Sequence, residues 1–189
     1  MNKTDSRKVS VPLGKAHHLL HPYNACLVSC KGKDGRNNVM AAAWIVPISV
    51  KPPLIGVSIR PERHSHSLIV ESGEFVVNVP TLNMARQVLF CGRKTGRDHD
   101  KMKEASLSCL RARKVSAPAI RECVAHLECR LARVVEVGDH NLIIGEVVSA
   151  YALKGCFDEV YDITVFRPCL HIGKNFFTTC TKRKVEPRI

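Results

Sequence analysis

Arg60-Pro61-Glu62-Arg63-His64-Ser65-His66-Ser67 gathers two arginines, two histidines and two serines between an alternating apolar run, Leu54 to Ile59, and a short helical run, Leu68 to Ser72, that Gly73 closes. A helix entrance offers free backbone N–H groups and the positive end of the helix dipole, so cationic and hydroxyl side chains there form a cradle for a phosphate. The same residues also fit a solvated turn with Ser65 or Ser67 as a helix cap. A second candidate anion contact is Cys91-Gly92-Arg93-Lys94-Thr95-Gly96-Arg97, running on to Lys101, where two glycines free the backbone among several cations. It lacks the GxxxxGK[ST] spacing of a nucleoside-triphosphate loop, and no GxGxxG follows a strand, which argues against ATP and Rossmann-type dinucleotide binding.

A third segment, Asn37 to Pro53, sets Ala41-Ala42-Ala43 before the only tryptophan, Trp44. Small side chains let a flat ring approach the backbone; the alternative is a tightly packed strand with Trp44 in the core. The cysteines suggest a rival chemistry. Cys26 and Cys30 lie about 13 Å apart along one strand face, too far to share a metal, and there is no CxxC. Cys91, beside a glycine and several cations, would have a lowered pKa if exposed, though burial as a small apolar residue is the commoner fate of a free cysteine. His64 and His66 offer two ligands without a third, so no metal is expected.

These residues need a scaffold. The chain has 189 residues, enough for one domain that buries about 70% of its extended surface. Residues 1–18 are expected to be loosely ordered, 19–180 to form the single domain, and 181–189 to be a basic tail. Strand-like runs dominate: Ala25 to Cys30, Leu54 to Arg60, Glu74 to Val79, Val124 to Val137 and Asn141 to Leu153. The run from Val124 alternates apolar residues with His126, Glu128 and Arg130, predicting one wet face, and Gly138-Asp139-His140-Asn141 supplies a hairpin turn. Helices are expected over Asn83–Phe90, between Thr81 as cap and Gly92 as stop, and over Asp100–Ala105. The pattern is mainly β with short helices, an antiparallel barrel.

Charge bounds the partners. Twenty-nine Lys and Arg against 17 Asp and Glu give a net charge of +12, favouring anionic ligands. A basic nucleic-acid-binding barrel is the alternative outside enzymology, but aromatic residues make up only 5% of the chain, few for a base-stacking platform. An odd count of nine cysteines and no apolar signal stretch after Met1 point to a reducing cytoplasm, and no run reaches the roughly 18 apolar residues of a membrane helix.

In order and spacing the segments 42–53, 72–80, 95–101, 114–118 and 138–147 resemble the flavin reductase-like family of FMN-binding split-barrel flavoproteins. That family includes flavoredoxin, archaeal ferric reductase and the reductase components of two-component monooxygenases. The resemblance covers about Pro22 to Gly173 and is nearest to flavoredoxin, including the ending Arg167 to Gly173. It implies a Greek-key split-barrel homodimer with FMN bound non-covalently. Ala41, Ala42, Ala43, Trp44 and Val46 would face the isoalloxazine. Ser58, Ile59, Arg60, Arg63, His64, Ser65, His66 and Ser67 would hold the ribityl chain and phosphate, and Lys94, Thr95, Gly96 and Lys101 would add contacts. His140 is a candidate neighbour of the flavin or the nicotinamide. The implied activity is electron transfer from NADH or NADPH through FMN to a ferric chelate, free flavin, an iron–sulfur protein or an oxygenase. A shuttle that does not use NAD(P)H directly is the alternative.

Overall fold

The computed structural model describes residues 7–187, so 1–6 of the N-terminal segment and 188–189 of the basic tail lie outside it. A 3₁₀ helix, Leu13–Leu20, precedes strands β1 (Tyr23–Asn24), β2 (Cys26–Lys31), β3 (Asn37–Ala42), β4 (Ile45–Ser49) and β5 (Leu54–Ile59). Helix α1 (His64–Ser72), strand β6 (Glu74–Val79), and helices α2 (Ala85–Arg93) and α3 (Lys101–Glu104) follow. The chain ends with β7 (Cys109–Leu110), β8 (Ala119–Ile120), the long hairpin β9 (Ala125–Val137) and β10 (His140–Ala152), then β11 (Leu170–Gly173) and β12 (Phe176–Thr178).

Seven strands form one antiparallel sheet in the order β3-β2-β6-β9-β10-β5-β4. The β9–β10 hairpin separates β5 from β6, giving the long-return connection of a Greek key. The sheet curls without closing, leaving β3 and β4 as edges. Phe75, Val77, Val28, Val57, Ile59 and Ile143 fill its interior, and α2 covers the outer side of β2 and β3 with Val88 and Cys91 against Leu27 and Val39. Curvature comes from two irregularities in the β9–β10 register, at Ile144/Gly145 and Val147/Ser149. Gly145 is required where it stands, since a Cβ would lie 2.5 Å from the buried Phe75 ring.

Several sequence expectations change. Helix α1 starts at His64, four residues before the apolar run, with Arg63 as N-cap; neither Ser65 nor Ser67 caps it. Gly73 does close it, in the left-handed region at φ 70°. Helix α2 runs through Gly92 to Arg93 rather than stopping there, and Thr81 makes no side-chain cap. The predicted wet face of β9 is dry at its start: His126 is 5% and Glu128 0% exposed.

Those buried polar groups are satisfied from far along the chain. Asn78 donates to Leu27 O and Ser29 Oγ, both at 2.9 Å, and its Oδ1 accepts from Ile120 N (2.8 Å) and His126 Nδ1 (2.9 Å). Glu128 accepts from Arg113 N (2.7 Å) and Lys114 N (2.6 Å). One amide thus ties β2, β6, β8 and β9. Asn78→Leu keeps volume but strands Ile120 N–H and His126, and should cost about 3 kcal/mol or more. Urea denaturation measures this; a loss below about 1 kcal/mol would show the network to be dispensable.

Candidate functional site

A cavity of about 440 Å³ opens where the ends of β3 and β5 meet α1, the α2–α3 connection, the segment of His17, His18 and His21, and the β11–β12 hairpin. One wall is Met40 to Trp44. Because β3 is an edge strand, its outer backbone groups have no strand partner, and the alanines leave that edge uncovered. Gly92 lets α2 approach this wall, as a Cβ there would sit 3.3 Å from Ala41 Cβ. Trp44 is 39% exposed, which rules out the core reading, and its carbonyl accepts from Ser58 N at 2.9 Å.

The opposite end is cationic. Arg63, His64 and Ser65 start α1, facing Lys94 to Arg97. Buried Ser65 accepts from Asn38 Nδ2 at 2.7 Å, fixing the helix start to β3. Arg97 donates to Glu62 O at 3.1 Å, tying the two cationic segments together. Lys101 is only 5% exposed; its Nζ donates to Cys91 O and Lys94 O, both at 3.2 Å, at the C-terminal end of α2. Burial lowers the Lys101 pKa, and burial also lowers that of His64, helped by Arg97 and Lys101.

The mouth carries aromatic and imidazole rings. Asp139 Oδ1 accepts from His140 Nδ1 at 2.7 Å, while its Oδ2 accepts from Arg60 at 2.6 Å. The His140 hydrogen bond, with Arg60, holds the Asp139 carboxyl below its ordinary pKa. The His140 ring centroid lies 4.9 Å from that of Trp44, and His17 approaches Trp44 at 5.3 Å. His18, His21 and His171 continue the line, with His21 and His171 centroids 5.3 Å apart. Lys174 lines the cavity from the β11–β12 turn, which Arg93 braces by donating to Lys174 O and Asn175 Oδ1.

Of the residues picked from sequence, Ala41, Ala42, Ala43, Trp44, Ser58 and Ile59 line the cavity, as do Arg60, Arg63, His64 and Ser65. Lys94, Thr95, Gly96, Lys101 and His140 join them. Three do not. Val46 faces outward from β4, His66 accepts from Asn141 Nδ2 at 3.0 Å, and Ser67 donates to His64 O on the far side of α1. Sequence reading missed His17, His18, His21, His171 and Lys174. The close spacing of the first three, two of them in the segment 1–18 expected to be loosely ordered, was the available signal; the 3₁₀ helix carries His17 and His18, and His21 is its C-cap. Cys91 also lines the cavity but is 1% exposed, and burial pushes its thiol up to about 11, the reverse of a reactive thiolate.

Residues 18–179 match the family model described as a flavin reductase like domain. A flavin reductase of Pseudomonas putida is 34% identical over 129 residues, covering 67% of this chain and 71% of that protein. A ferric-chelate reductase (NAD(P)H) of Archaeoglobus fulgidus is 29% identical over 122 residues, 64% of this chain and 71% of its own. Among solved structures, flavoredoxin of Desulfovibrio vulgaris superposes with a TM-score of 0.84 at 26% identity, covering 94% of this chain and 97% of its own. An FMN-binding protein from Thermus thermophilus, solved with bound 1-cyclohex-2-enone, gives 0.82 at 26% identity, covering 97% and 100%.

The lowered pKa of His64 has a measurable consequence. An anion beside it would favour the imidazolium, so binding takes up a proton and affinity should rise as pH falls toward the lowered pKa of the anion-free imidazole, levelling off below it. Sulfate, whose own charge is constant there, is the probe for calorimetry between roughly pH 5 and 8. His64→Gln should flatten most of that rise; an unchanged profile would remove His64 from the anion site.

Proposed function

The chain belongs to the flavin reductase-like domain family, and on that premise we propose that it is an oxidoreductase that holds FMN in this cavity and takes electrons from NADH or NADPH. The observation that carries the reading is one cavity with a bare backbone wall and Trp44 at one end and a phosphate-sized cluster of cations at the other. The names of its relatives, an NAD(P)H ferric-chelate reductase, a flavin reductase and a flavoredoxin, agree with it.

In this reading the wall from Ala41 to Trp44 receives the isoalloxazine, Ser58 and Ile59 lie along the ribityl chain, and Arg63, His64, Lys94 and Thr95 take the phosphate. Lys101 contributes charge from beneath and holds the Lys94 turn in place. Arg60 is engaged by Asp139, so its role is to orient that carboxylate, and through it His140, beside Trp44. Bound FMN supplies hydride acceptance and onward donation of one or two electrons. The residues bind, orient and exclude water. No side chain need act as an acid or base for hydride transfer itself.

We further read the active form as a homodimer. The edge strand β4 exposes Val46 (47%) and Ile48 (43%) beside Trp44, with Val50 (84%) just beyond it. An apolar edge of this kind, adjoining the cavity, is suited to covering by a second copy. The acceptors that fit a shallow mouth lined by imidazoles are a ferric chelate, free flavin or a small redox protein.

Protein purified without added cofactor should show oxidised-flavin bands near roughly 375 and 450 nm that bleach when NADH or NADPH is added anaerobically. Bands that persist would favour a shuttle reduced by a protein partner. A colourless protein that also ignores added FMN would overturn the reading. Lys101→Met, and separately Arg63→Ala, should weaken FMN retention by about tenfold or more, read from fluorescence quenching on titration. Light scattering should give twice the mass of one chain, and Ile48→Glu should shift it toward the monomer.

A further inference from the structure

The start of α1 and the Lys94–Arg97 turn separate the candidate site from a second, larger groove of about 1200 Å³. His64, Gly96 and Arg97 line both. Gly96 keeps the partition thin: a Cβ there would collide with Asn38 Oδ1 and come within 3.2 Å of the His64 ring.

The two cavities differ in charge. The first presents Arg60, Arg63, Lys94, Arg97, Lys101 and Lys174 against a single lining acid, Glu62. A phosphate monoester carries about −2 at pH 7, so one such group leaves cations over even after Arg60 is paired with Asp139. In the second groove Lys33, Arg36, Lys103 and the shared Arg97 are balanced by Asp34, Glu71, Asp98 and Asp100. That groove also has an apolar floor of Leu68, Met102 and Leu107 beside the rings of His64 and His99. A near-neutral groove with an apolar floor, flanking rings and carboxylates suits a base and a hydroxylated sugar. The cationic partition suits phosphates.

We propose that the second groove binds the adenosine end of a dinucleotide, whose diphosphate lies over Arg97 and His64 and shares the surplus cations of the first cavity. The proposal rests on the flavin reading of the first cavity for the place of the redox ring. The adenylate belongs either to the nicotinamide dinucleotide or to FAD held in place of FMN, and the two sources are separable.

Calorimetry with ADP-ribose, which has the adenylate and diphosphate without the nicotinamide, is run on protein loaded with FMN; FAD and FMN are compared on protein stripped of flavin. Glu71→Trp fills the groove from the exposed face of α1, and Lys103→Glu alters its charge without adding bulk, in case the first variant folds poorly. If the adenylate is that of the nicotinamide dinucleotide, ADP-ribose binds the FMN-loaded protein, and either variant weakens it about tenfold or more with FMN affinity unchanged. If it is that of FAD, FAD binds about tenfold tighter than FMN and either variant removes the advantage. No ADP-ribose binding together with equal FAD and FMN affinities overturns the proposal, as does binding that both variants leave intact. Failure to bind FMN, with ADP-ribose still bound by the flavin-free protein, would sink the flavin reading and leave the groove assignment standing.

Discussion

The site depends on one buried ammonium. Lys101 leaves water almost completely, and two carbonyls at the end of α2 are its hydrogen-bond partners. Burying an ion costs several kcal/mol, while a hydrogen bond to a charged group returns roughly 1.5–3 kcal/mol, so two such bonds leave the account near balance. Arg63 adds to the strain by repulsion, and the Lys101 pKa is lowered accordingly, chiefly by burial. An anion in the cavity would offset the repulsion between the two cations. The same ammonium fixes Lys94 O, and with it the turn that carries Thr95, Gly96 and Arg97; the Asn38–Ser65 bond fixes the opposing helix start. Charge and geometry are therefore set by the same few contacts.

Much of the scaffold was legible because the hydrophobic pattern decides it. Strand β6 runs over Glu74–Val79 as expected, and β5, β9 and β10 fall within a residue of expectation at each end. The cavity lining was legible for the same reason that local chemistry usually is. Small residues before a tryptophan and cations at a helix start carry their meaning in short segments.

What stayed hidden depends on distant partners. His126 and Glu128 look solvated by their side chains alone; their burial is possible because Asn78, Arg113 and Lys114 supply partners far along the chain. The first turn of α1, His64 to Ser67, has modest helix propensity, and Ser65 is held from β3 by Asn38. Strands β3 and β4 contain Asn, Ala and Pro, poor strand formers that pairing with β2 and β5 overrides. Cys91 meets the commoner fate of a free cysteine: α2 turns it inward, and burial raises its thiol pKa more than the neighbouring Lys101 lowers it.

The 3₁₀ helix and the β11–β12 hairpin complete the cavity through a separate small sheet. Strand β1 pairs with β11 at Tyr23–His171, and β11 pairs with β12. That pairing brings His21, at the end of the 3₁₀ helix, against His171. The 3₁₀ helix itself buries none of its residues, and Leu13, Leu19 and Leu20 remain exposed, so this sheet, the imidazole contacts and Tyr23, which donates to His17 O, keep it over the mouth. The cationic end stands instead on the large sheet and on buried hydrogen bonds. The division follows from burial: the cationic end stands on the core, which keeps its charges in fixed geometry, and the aromatic mouth is built from the surface.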